Sequence, residues 1–455
     1  MNDFSDCRII YETKGLCPVC CQWVDAQAIE NCGKVFLRKT CPEHGQSDLL
    51  ICGDASSFRQ LREAYLITHN EIFPQSRYLL YLTPVCNMSC PICFLSRQKD
   101  QKQDITLEEL NKTLSTPKRE LILFGAEPTC REDLPQIIEF LKRRQFSVSL
   151  YTNGLNLSDL EYAKVIKAAN VDKIYFQFDS FNDEVYEKLR QKKLLDIKNK
   201  ALNNLKLLDI PVVLDITVVN DLNDHEVGKI FDFACRQNHI SALNFIAYVR
   251  SGGGSEFLND NVLMPDDIIK RIGDYTQGRI NRDKIKVYQK LLYIYMSILK
   301  RRTCFYIQYF WVYRRDEGEY LTLDEIIDFG KLDNVLDGYL RLAPKTGKMF
   351  AIAYLVFKSP VLLFALKQRR ICFEMFRMAF AHSFNKAEYA KKSSKFLQLI
   401  FTTACDPYKS DINIAKRCHV GMIYKNDQGE LKIDDENGMY LLQEEINSKI
   451  MSGKI

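Results

Sequence analysis

The chain has 455 residues, of which 46% are hydrophobic, so it is long enough for about two to four domains and can bury a sizeable core. Its 63 Lys and Arg residues against 58 Asp and Glu leave a net charge of +5, which is too small to indicate a nucleic-acid partner. The first twenty residues lack the basic and apolar segments of a signal peptide, which indicates a cytoplasmic protein. In a reducing compartment the 16 cysteines are metal ligands more often than disulfides.

The amino-terminal region, residues 1–75, carries two pairs of metal-ligating residues. Cys17 and Cys20 form the first pair, and Cys41 and His44 form the second. Each pair lies in a tight knuckle, and the run between the pairs fits a short hairpin, so four ligands can meet at one tetrahedral ion. Zinc is the default metal, and iron in a rubredoxin-like site is the alternative. We therefore predict a small metal-binding module whose fold depends on the ion.

Four further cysteines lie in the same module. Cys21 and Cys32 offer an alternative to His44 as the fourth ligand. Otherwise these two, together with Cys7 and Cys52, are predicted to be ordinary buried or half-exposed thiols, since unpaired cysteine packs as a small hydrophobe.

A second group of cysteines lies in the cysteine loop (residues 86–93), directly after a short apolar run. Cys86, Cys90 and Cys93 supply three thiolates from one tight loop. An all-protein iron–sulfur cluster normally takes four ligands, whereas three ligands with one open position are typical of a catalytic site. We therefore predict a [4Fe–4S] cluster whose fourth iron binds another molecule. A zinc knuckle, or a redox pair with a spare thiol, is the alternative.

From residue 76 onwards, strand-like apolar runs alternate with amphipathic stretches. This alternation predicts an α/β fold, with a partial (β/α)6 TIM-type barrel over residues 76–255. In such folds ligands bind at the carboxyl ends of the strands. The predicted strands are 78–82, 121–124, 146–151, 174–178, 212–219 and 243–246, and the predicted helices between them are 107–114, 134–143, 159–169, 197–208 and 226–236.

Polar and turn-forming residues follow the second, third and fourth predicted strands. A carboxylate between glycine and proline can accept hydrogen bonds from an ammonium group while the backbone lies close to the ligand. Each of these turns is a weak signal alone, but their order around one barrel mouth predicts a binding site. The residues are Gly125, Ala126, Glu127 and Pro128 after the second strand, Asn153 after the third, and Gln177 and Asp179 at the end of the fourth.

On these residues the chain resembles the radical S-adenosylmethionine (SAM) superfamily. The three cysteines of the cysteine loop match that superfamily's cluster loop, and residues 125–128 match its second motif. The resemblance implies that the methionine part of SAM binds the open iron. It also implies that Glu127 contacts the amino group of SAM, and that Ile92, at a position usually occupied by an aromatic residue, contacts the adenine. The reduced cluster would cleave SAM to a 5′-deoxyadenosyl radical, which abstracts hydrogen from a C–H bond.

A narrower resemblance, over most of residues 10–250, is to the subgroup of cobalamin-independent pterin methyltransferase and tetraether lipid synthase-like proteins. Its motifs include Asn223, Asp224, His225 and Glu226. It implies C-methylation or C–C coupling of a heterocyclic small molecule or a lipid, with an electron donor such as flavodoxin or ferredoxin. The alternatives are a radical SAM enzyme that modifies a peptide or another small molecule, and a non-enzymatic zinc-binding interaction protein.

Residues 256–455 are predicted to be mainly helical. Their scattered cysteines match the subgroup's late motif only in part, so an auxiliary iron–sulfur cluster is left open. These cysteines are Cys304, Cys372, Cys405 and Cys418.

One run in this region, residues 349–366, is almost wholly apolar. Lys358, Ser359 and Pro360 interrupt it, and such an interruption would leave backbone groups unsatisfied in lipid. We therefore predict two buried helices that meet at Pro360 rather than a membrane span. A membrane-surface role, for example to admit a lipid substrate, is the alternative.

Overall fold

The computed structural model describes residues 7–434 except 21, 94, 96–103, 115–119, 250–261, 385–394, 404–405, 407, 410 and 427. The strands of the described residues form two sheets. The first is a four-stranded antiparallel sheet in chain order, with β1 (Arg8–Leu16), β2 (Trp23–Asn31), β3 (Lys34–Cys41) and β4 (Gly45–Cys52).

The hairpin predicted between the two metal-ligand pairs is formed by β2 and β3. Its turn is Cys32 and Gly33, both with positive φ, 48° and 74°, which suits the right-handed twist of a two-residue hairpin. Helix α1 (Ala55–Thr68) follows the sheet, and the Asp54 side chain caps it by accepting a hydrogen bond from the Ser57 backbone N–H at 3.1 Å.

Six parallel strands lie in chain order at the centre of the second sheet, as the alternating pattern predicts. The predicted strand bounds agree closely, with the largest difference at β10, which begins at residue 240 rather than 243. The strands are β5 (Arg77–Tyr81), β6 (Glu120–Phe124), β7 (Ser147–Thr152), β8 (Lys173–Gln177), β9 (Val212–Val218) and β10 (Ile240–Ala247). The helices between them are α2 (Leu107–Thr113), α3 (Leu134–Arg143), α4 (Leu160–Ala168), α5 (Asp183–Arg190), α6 (Leu195–Leu207) and α7 (Val227–Cys235).

The carboxyl-terminal region contains the predicted helices and also adds five strands to the second sheet. β13 (Phe396–Thr402) pairs in parallel with β10, and β14 (Gly421–Lys425) pairs in parallel with β5, so eight parallel strands lie side by side. The antiparallel strands β11 (Gln308–Arg314), β12 (Tyr320–Thr322) and β15 (Leu431–Asp434) form the edges. The helices are α8 (Pro265–Tyr275), α9 (Arg282–Ile298), α10 (Leu323–Ile326), α11 (Phe329–Thr346), α12 (Lys348–Phe357), α13 (Ser359–Ala365), α14 (Arg369–Phe384) and a short helix Ile412–Ala415.

The same region packs against the amino-terminal module. One hydrophobic core joins the first sheet and α1 to α9 and α11. Tyr65 on α1 is fully buried, and its hydroxyl donates a hydrogen bond to the Thr303 carbonyl at 3.1 Å. The expected domain boundary at residue 75 lies between α1 and β5, whereas the expected boundary at residue 255 lies outside the described residues.

Residues 349–366 form two helices, α12 and α13, with a bend of 52° between them, so the predicted break is present. The prediction that these helices are buried is wrong. Met349, Phe357 and Phe364 are 78%, 77% and 77% exposed, because α12 packs against α11 with one face only. Within the described chain, no single helix is long and apolar enough to cross a membrane, and this bent pair meets that criterion only jointly, by length and composition.

Candidate functional site

The segment 125–128, after β6, is hydrogen-bonded to the chain that leads into the cysteine loop. The backbone N–H groups of Ala126 and Glu127 donate to the carbonyls of Thr83 and Val85, at 2.9 and 3.0 Å. Gly125 has a φ of 144°, and a Cβ there would lie 2.6 Å from the Thr83 oxygen. Only glycine fits this position, so the second motif sets where the cysteine loop begins.

The three thiols of the cysteine loop lie at the barrel mouth, where β5 ends. Cys86 is exposed, Cys90 and Cys93 are half-buried, and the Cys86 sulfur accepts a hydrogen bond from the Met88 N–H at 3.4 Å. The three sulfur atoms do not all lie within 4.8 Å of one another. Sulfur ligands that share one tetrahedral zinc are about 3.8 Å apart, because the Zn–S bond is about 2.3 Å. The donor set therefore suits a multi-iron cluster, in which each thiolate binds its own iron.

Glu127 is fully buried, and both of its carboxylate oxygens accept hydrogen bonds within the chain. Oε1 accepts from the Thr129 N–H and hydroxyl, at 3.1 and 2.6 Å, and from the Thr152 hydroxyl at 2.7 Å. Oε2 accepts from the Asn153 N–H at 2.6 Å. Burial raises the pKa of the Glu127 carboxyl. The carboxylate thus joins the end of β6 to the end of β7, and its expected contact with the amino group of SAM stays a prediction.

Asn153 connects the end of β7 to the cysteine loop. Its Nδ2 donates to the Asn87 side-chain oxygen at 2.7 Å, and Asn87 lies between Cys86 and Cys90. Its own Oδ1 accepts from the Leu155 N–H at 3.0 Å, which holds the amide in place. Asn153 therefore lies beside the predicted cluster rather than elsewhere on the barrel mouth.

Asp179, after β8, is fully buried and paired with an arginine that the sequence analysis did not identify. Arg190 donates to both oxygens of Asp179, from Nε at 2.8 Å and from Nη2 at 3.2 Å. Gln177 Nε2 also donates to Asp179. The Arg190 guanidinium also lies close enough to Cys90 to interact with it electrostatically, so a fixed positive charge lies near one of the three thiols.

Lys198 on α6 is a second unpredicted residue of the site. Its ammonium group donates to the carbonyl of Asn153 at 2.5 Å and to the Gln177 carbonyl and side-chain oxygens at 2.8 and 2.5 Å. It is fully buried, and burial lowers its pKa to about 7. Lys198 therefore holds the ends of β7 and β8 together behind the predicted site residues.

Both missed residues left a signal in the sequence. Lys198 stands in the apolar stripe of α6 together with Ala201, Leu202 and Leu205, where a lysine is out of place unless it has a buried partner. Helix α5, which carries Arg190, has Asn182 as its N-cap residue. The Asn182 side chain accepts a hydrogen bond from the Glu184 N–H at 2.9 Å.

An aspartate and an asparagine face the barrel interior one level below the mouth. Asp215 on β9 is paired in register with Gln177 on one side and Asn244 on the other. Asn244 Nδ2 donates to Asp215 Oδ1 at 2.8 Å, while the Asn244 side-chain oxygen has no hydrogen-bond partner in the described part of the chain. Burial raises the pKa of Asp215 to about 8, so the group is largely protonated at neutral pH.

Beneath this pair the interior is apolar and aromatic. Tyr175, Val213 and Ala242 precede Gln177, Asp215 and Asn244 by two residues on the same strands, so they share the inner face. The rings of Tyr151 and Tyr175 stack with centroids 4.4 Å apart. A ligand in the interior would therefore contact the two tyrosine rings and the polar pair Asp215 and Asn244.

Ile92 and the motif at residues 223–226 pack near the same edge. Ile92 is buried in a cluster with Leu189 and Val219, and its expected adenine contact stays a prediction. The Asn223 amide donates to the carbonyl of Asp179 at 2.9 Å and thereby joins the end of β8 to the turn after β9. His225 is exposed. The Asn223 contact therefore links two strand ends without involving the histidine.

The four predicted ligands of the amino-terminal module lie together. Their donor atoms are all within 4.8 Å of one another. Cys41 Sγ lies 3.4 Å from His44 Nδ1 and 3.9 Å from Cys20 Sγ, and Cys17 Sγ lies 3.9 Å from His44 Nδ1. These spacings suit one tetrahedral ion. Cys32 is not in this group, and Cys21 lies outside the described residues.

The described cysteines of the carboxyl-terminal region do not form such a group. Cys304 and Cys418 are buried, and burial together with the nearby Cys418 raises the pKa of Cys304 to about 12. Cys372 instead contacts the Ile326 carbonyl at 3.7 Å. Cys405 lies outside the described residues, so the auxiliary cluster stays untested.

Comparisons with known proteins agree with this arrangement. Residues 80–234 match the Radical SAM superfamily, and residues 9–53 match the HMPTM N-terminal zinc ribbon domain. The chain is 31% identical over 304 residues to 7,8-dihydro-6-hydroxymethylpterin dimethyltransferase of Methanocaldococcus jannaschii, which covers 60% of this chain and 60% of that protein. It is 30% identical over 191 residues to "Probable GTP 3′,8-cyclase" of Pyrococcus horikoshii, which covers 41% of this chain and 61% of that protein.

The chain thus spans about three fifths of the length of each of these relatives, 60% and 61%. Among solved structures, Streptococcus suis SuiB bound to its precursor peptide SuiA is 15% identical, with a TM-score of 0.37 over 47% of this chain and 48% of that one, which is too distant to support an argument.

The two matched regions contain the two predicted metal sites. The zinc-ribbon match spans all four amino-terminal ligands, and the radical SAM match spans the three thiols of the cysteine loop and the strand-end residues as far as Asp179. The radical SAM match implies a [4Fe–4S] cluster and SAM as cofactors, and the Cys/His group suits a metal in the ribbon. Residues 80–234 are therefore similar to the radical SAM superfamily, residues 9–53 to a zinc ribbon, and the chain as a whole to the pterin methyltransferase-like subgroup.

Proposed function

We propose that the chain is a radical SAM enzyme that methylates a carbon of a small, flat heterocycle. The observation that carries this proposal is the grouping of strand-end residues around the cysteine loop, with Arg190 beside Cys90 and Asn153 bonded to Asn87. The relative named as a pterin dimethyltransferase supports the reaction class. A flavodoxin or ferredoxin is the proposed electron donor.

Cys86, Cys90 and Cys93 are the residues that would hold the cluster. When bound, the reduced cluster supplies the electron that cleaves SAM to the radical that removes hydrogen from the substrate. The protein's part is to orient the reactants and exclude water. Glu127, Asn153, Gln177 and Asp179 are proposed to bind SAM, since they lie together on the strand ends next to the loop.

The barrel interior supports a heterocycle in preference to an acyl chain. Protonated Asp215 can donate a hydrogen bond, and the free side-chain oxygen of Asn244 can accept one. A lactam or amidine edge offers the complementary pair, whereas an acyl chain would leave both groups unsatisfied at a cost of about 1–3 kcal/mol each. The stacked Tyr151 and Tyr175 provide an aromatic surface nearby.

The radical step is tested on the full chain, reconstituted anaerobically with iron and sulfide, reduced with dithionite and given SAM. We expect 5′-deoxyadenosine and methionine in equal amounts by mass spectrometry, and none from Cys86→Ala. Cys32→Ser, which changes an exposed thiol outside both metal groups, should behave as the unsubstituted protein does. Absence of 5′-deoxyadenosine from the cluster-loaded protein would refute the radical SAM activity.

The substrate class is tested separately with 7,8-dihydro-6-hydroxymethylpterin as the probe and SAM labelled in its methyl group. We expect label in the pterin, donated by a second SAM that leaves as S-adenosylhomocysteine while dithionite supplies the electrons, and a loss of at least about tenfold in labelled product for Asn244→Leu. Formation of 5′-deoxyadenosine without any labelled pterin would refute this substrate and leave the radical SAM activity standing.

A further inference from the structure

Helices α12 and α13 carry a continuous exposed apolar surface. Within the described part of the chain, all the strongly exposed phenylalanines lie in this segment or directly after it, at Phe350 (71%), Phe357 (77%), Phe364 (77%) and Phe373 (64%). We call the surface formed by Met349, Phe350, Val356, Phe357, Leu363 and Phe364 the apolar ridge. Exposed aromatic residues in such density mark an interaction surface rather than ordinary surface composition.

The ridge points away from the rest of the protein. Phe350 and Phe357 are seven residues apart on α12, which is about two helical turns, so they lie on the same side of that helix, and Phe364 on α13 is strongly exposed beyond the bend. The helix pair packs on α11, where Ala351 is fully buried and the Tyr354 ring fills the space beside Gly338. The helix pair is therefore held against the protein along one side and open along the other.

The chain around the ridge is strongly basic. Residues 338–373 contain no Asp or Glu and seven basic residues, more positive charge than the +5 of the whole chain. The described residues form no salt bridge with Lys345, Lys358 or Arg370, and the Lys358 ammonium lies 5.8 Å from the centroid of the Phe357 ring. The basic residues are Arg341, Lys345, Lys348, Lys358, Lys367, Arg369 and Arg370.

We propose that the apolar ridge binds the surface of an anionic lipid bilayer. The phenylalanines enter the boundary between headgroups and acyl chains, while the flanking lysines and arginines contact lipid phosphates. A second copy of this chain is a poorer occupant, because a two-fold interface would bring the two sets of seven positive charges together. A spanning arrangement would require α12 to leave its packing on α11. This inference does not depend on the proposed reaction.

The test is flotation of the full chain with vesicles of phosphatidylcholine alone or with about 30% phosphatidylglycerol. We expect binding to the anionic vesicles to be at least about tenfold stronger and to weaken at high salt, because exposed charges are screened. The triple variant Phe350→Ser, Phe357→Ser, Phe364→Ser should lose at least about tenfold in binding. Lys345→Glu with Arg370→Glu should remove most of the preference for anionic vesicles.

Leu207→Ser is the matched control, because Leu207 is 70% exposed but lies at the end of α6, outside the ridge. This control should bind vesicles as the unsubstituted protein does. All the variants should have the same unfolding midpoint as the unsubstituted protein. Three results would overturn the proposal: no binding to either vesicle, unchanged binding by the ridge variant, or resistance of the bound protein to alkaline carbonate. Conversion of a dimer to a monomer by the ridge substitutions, measured by sedimentation velocity, would also overturn it and assign the ridge to self-association.

Discussion

The two predicted metal sites of this chain, both rich in cysteine, differ in how their ligands are arranged. In the zinc ribbon, four donors from two knuckles lie within 4.8 Å of one another. In the cysteine loop, three thiols are further apart, and the residues that support them come from β6, β7, β8, α5 and α6. A closed tetrahedral set serves structure, whereas an open set surrounded by strand ends leaves room for a ligand. The two sites differ mainly in the residues that surround the ligands, and less in the thiols themselves.

The largest expected effect separates the sites by activity. Cys90→Ala removes the thiol beside Arg190, so we expect at least about a thousandfold less 5′-deoxyadenosine, in line with the loss of an essential catalytic group. Zinc per chain should be unchanged, as measured by elemental analysis of the same sample. A Cys90→Ala protein that lost zinc as well as iron would show that the two sites are not independent.

Removal of the ribbon ion should act on stability instead. Cys41→Ala takes one ligand from the closed site, and we expect loss of zinc and at least about 5 kcal/mol of the ribbon's stability, since the ion supplies folding free energy. The rate of backbone amide hydrogen exchange should rise over residues 8–52, while the amides of β5 to β10 stay protected. Unchanged exchange in the ribbon would mean that its packing on α9 and α11 holds it without the ion.

The buried pair beside the cysteine loop offers a sharper test of its support. Arg190→Met leaves the Asp179 carboxylate buried without its partner, and we expect about 3–5 kcal/mol lower stability in urea unfolding. The double variant Asp179→Asn, Arg190→Met should recover part of that loss, because no unpaired charge remains. Equal stability of the single and double variants would show that the ion pair is not what holds α5 to β8.

The smallest expected effect is a pH dependence at Asp215. Its folded pKa of about 8 lies above the unfolded value of about 3.9, so the folded state binds the extra proton between these pH values. Stability from this group is therefore complete below about pH 4 and falls as pH rises towards 8, by up to about 1.4 kcal/mol per pH unit. The difference in urea midpoint between the unsubstituted protein and Asp215→Asn should follow this slope. A difference that stays constant from pH 5 to pH 8 would show that Asp215 is ionised throughout.

Several elements of this molecule follow from local sequence alone. The two knuckles, the cysteine loop and the alternation of β5 to β10 with helices depend on residues a few positions apart, so their patterns are visible without the fold. The aromatic and β-branched residues of β11 are an equally local strand signal, although residues 256–455 were predicted to be mainly helical. The position of β11 between β12 and β13 could not be inferred, because its partner β13 begins more than eighty residues later.

The sequence by itself determined the cysteine spacings and the strand-end positions from which the site residues are predicted, since both are local properties. The tertiary structure alone decided what surrounds them: Arg190 beside Cys90, Lys198 between β7 and β8, and Asn244 beside Asp215. It also decided that residues 349–366 form an exposed ridge, which their apolar composition argues against. Burial and charge pairing depend on chain segments that are distant in sequence, and only packing brings those segments together.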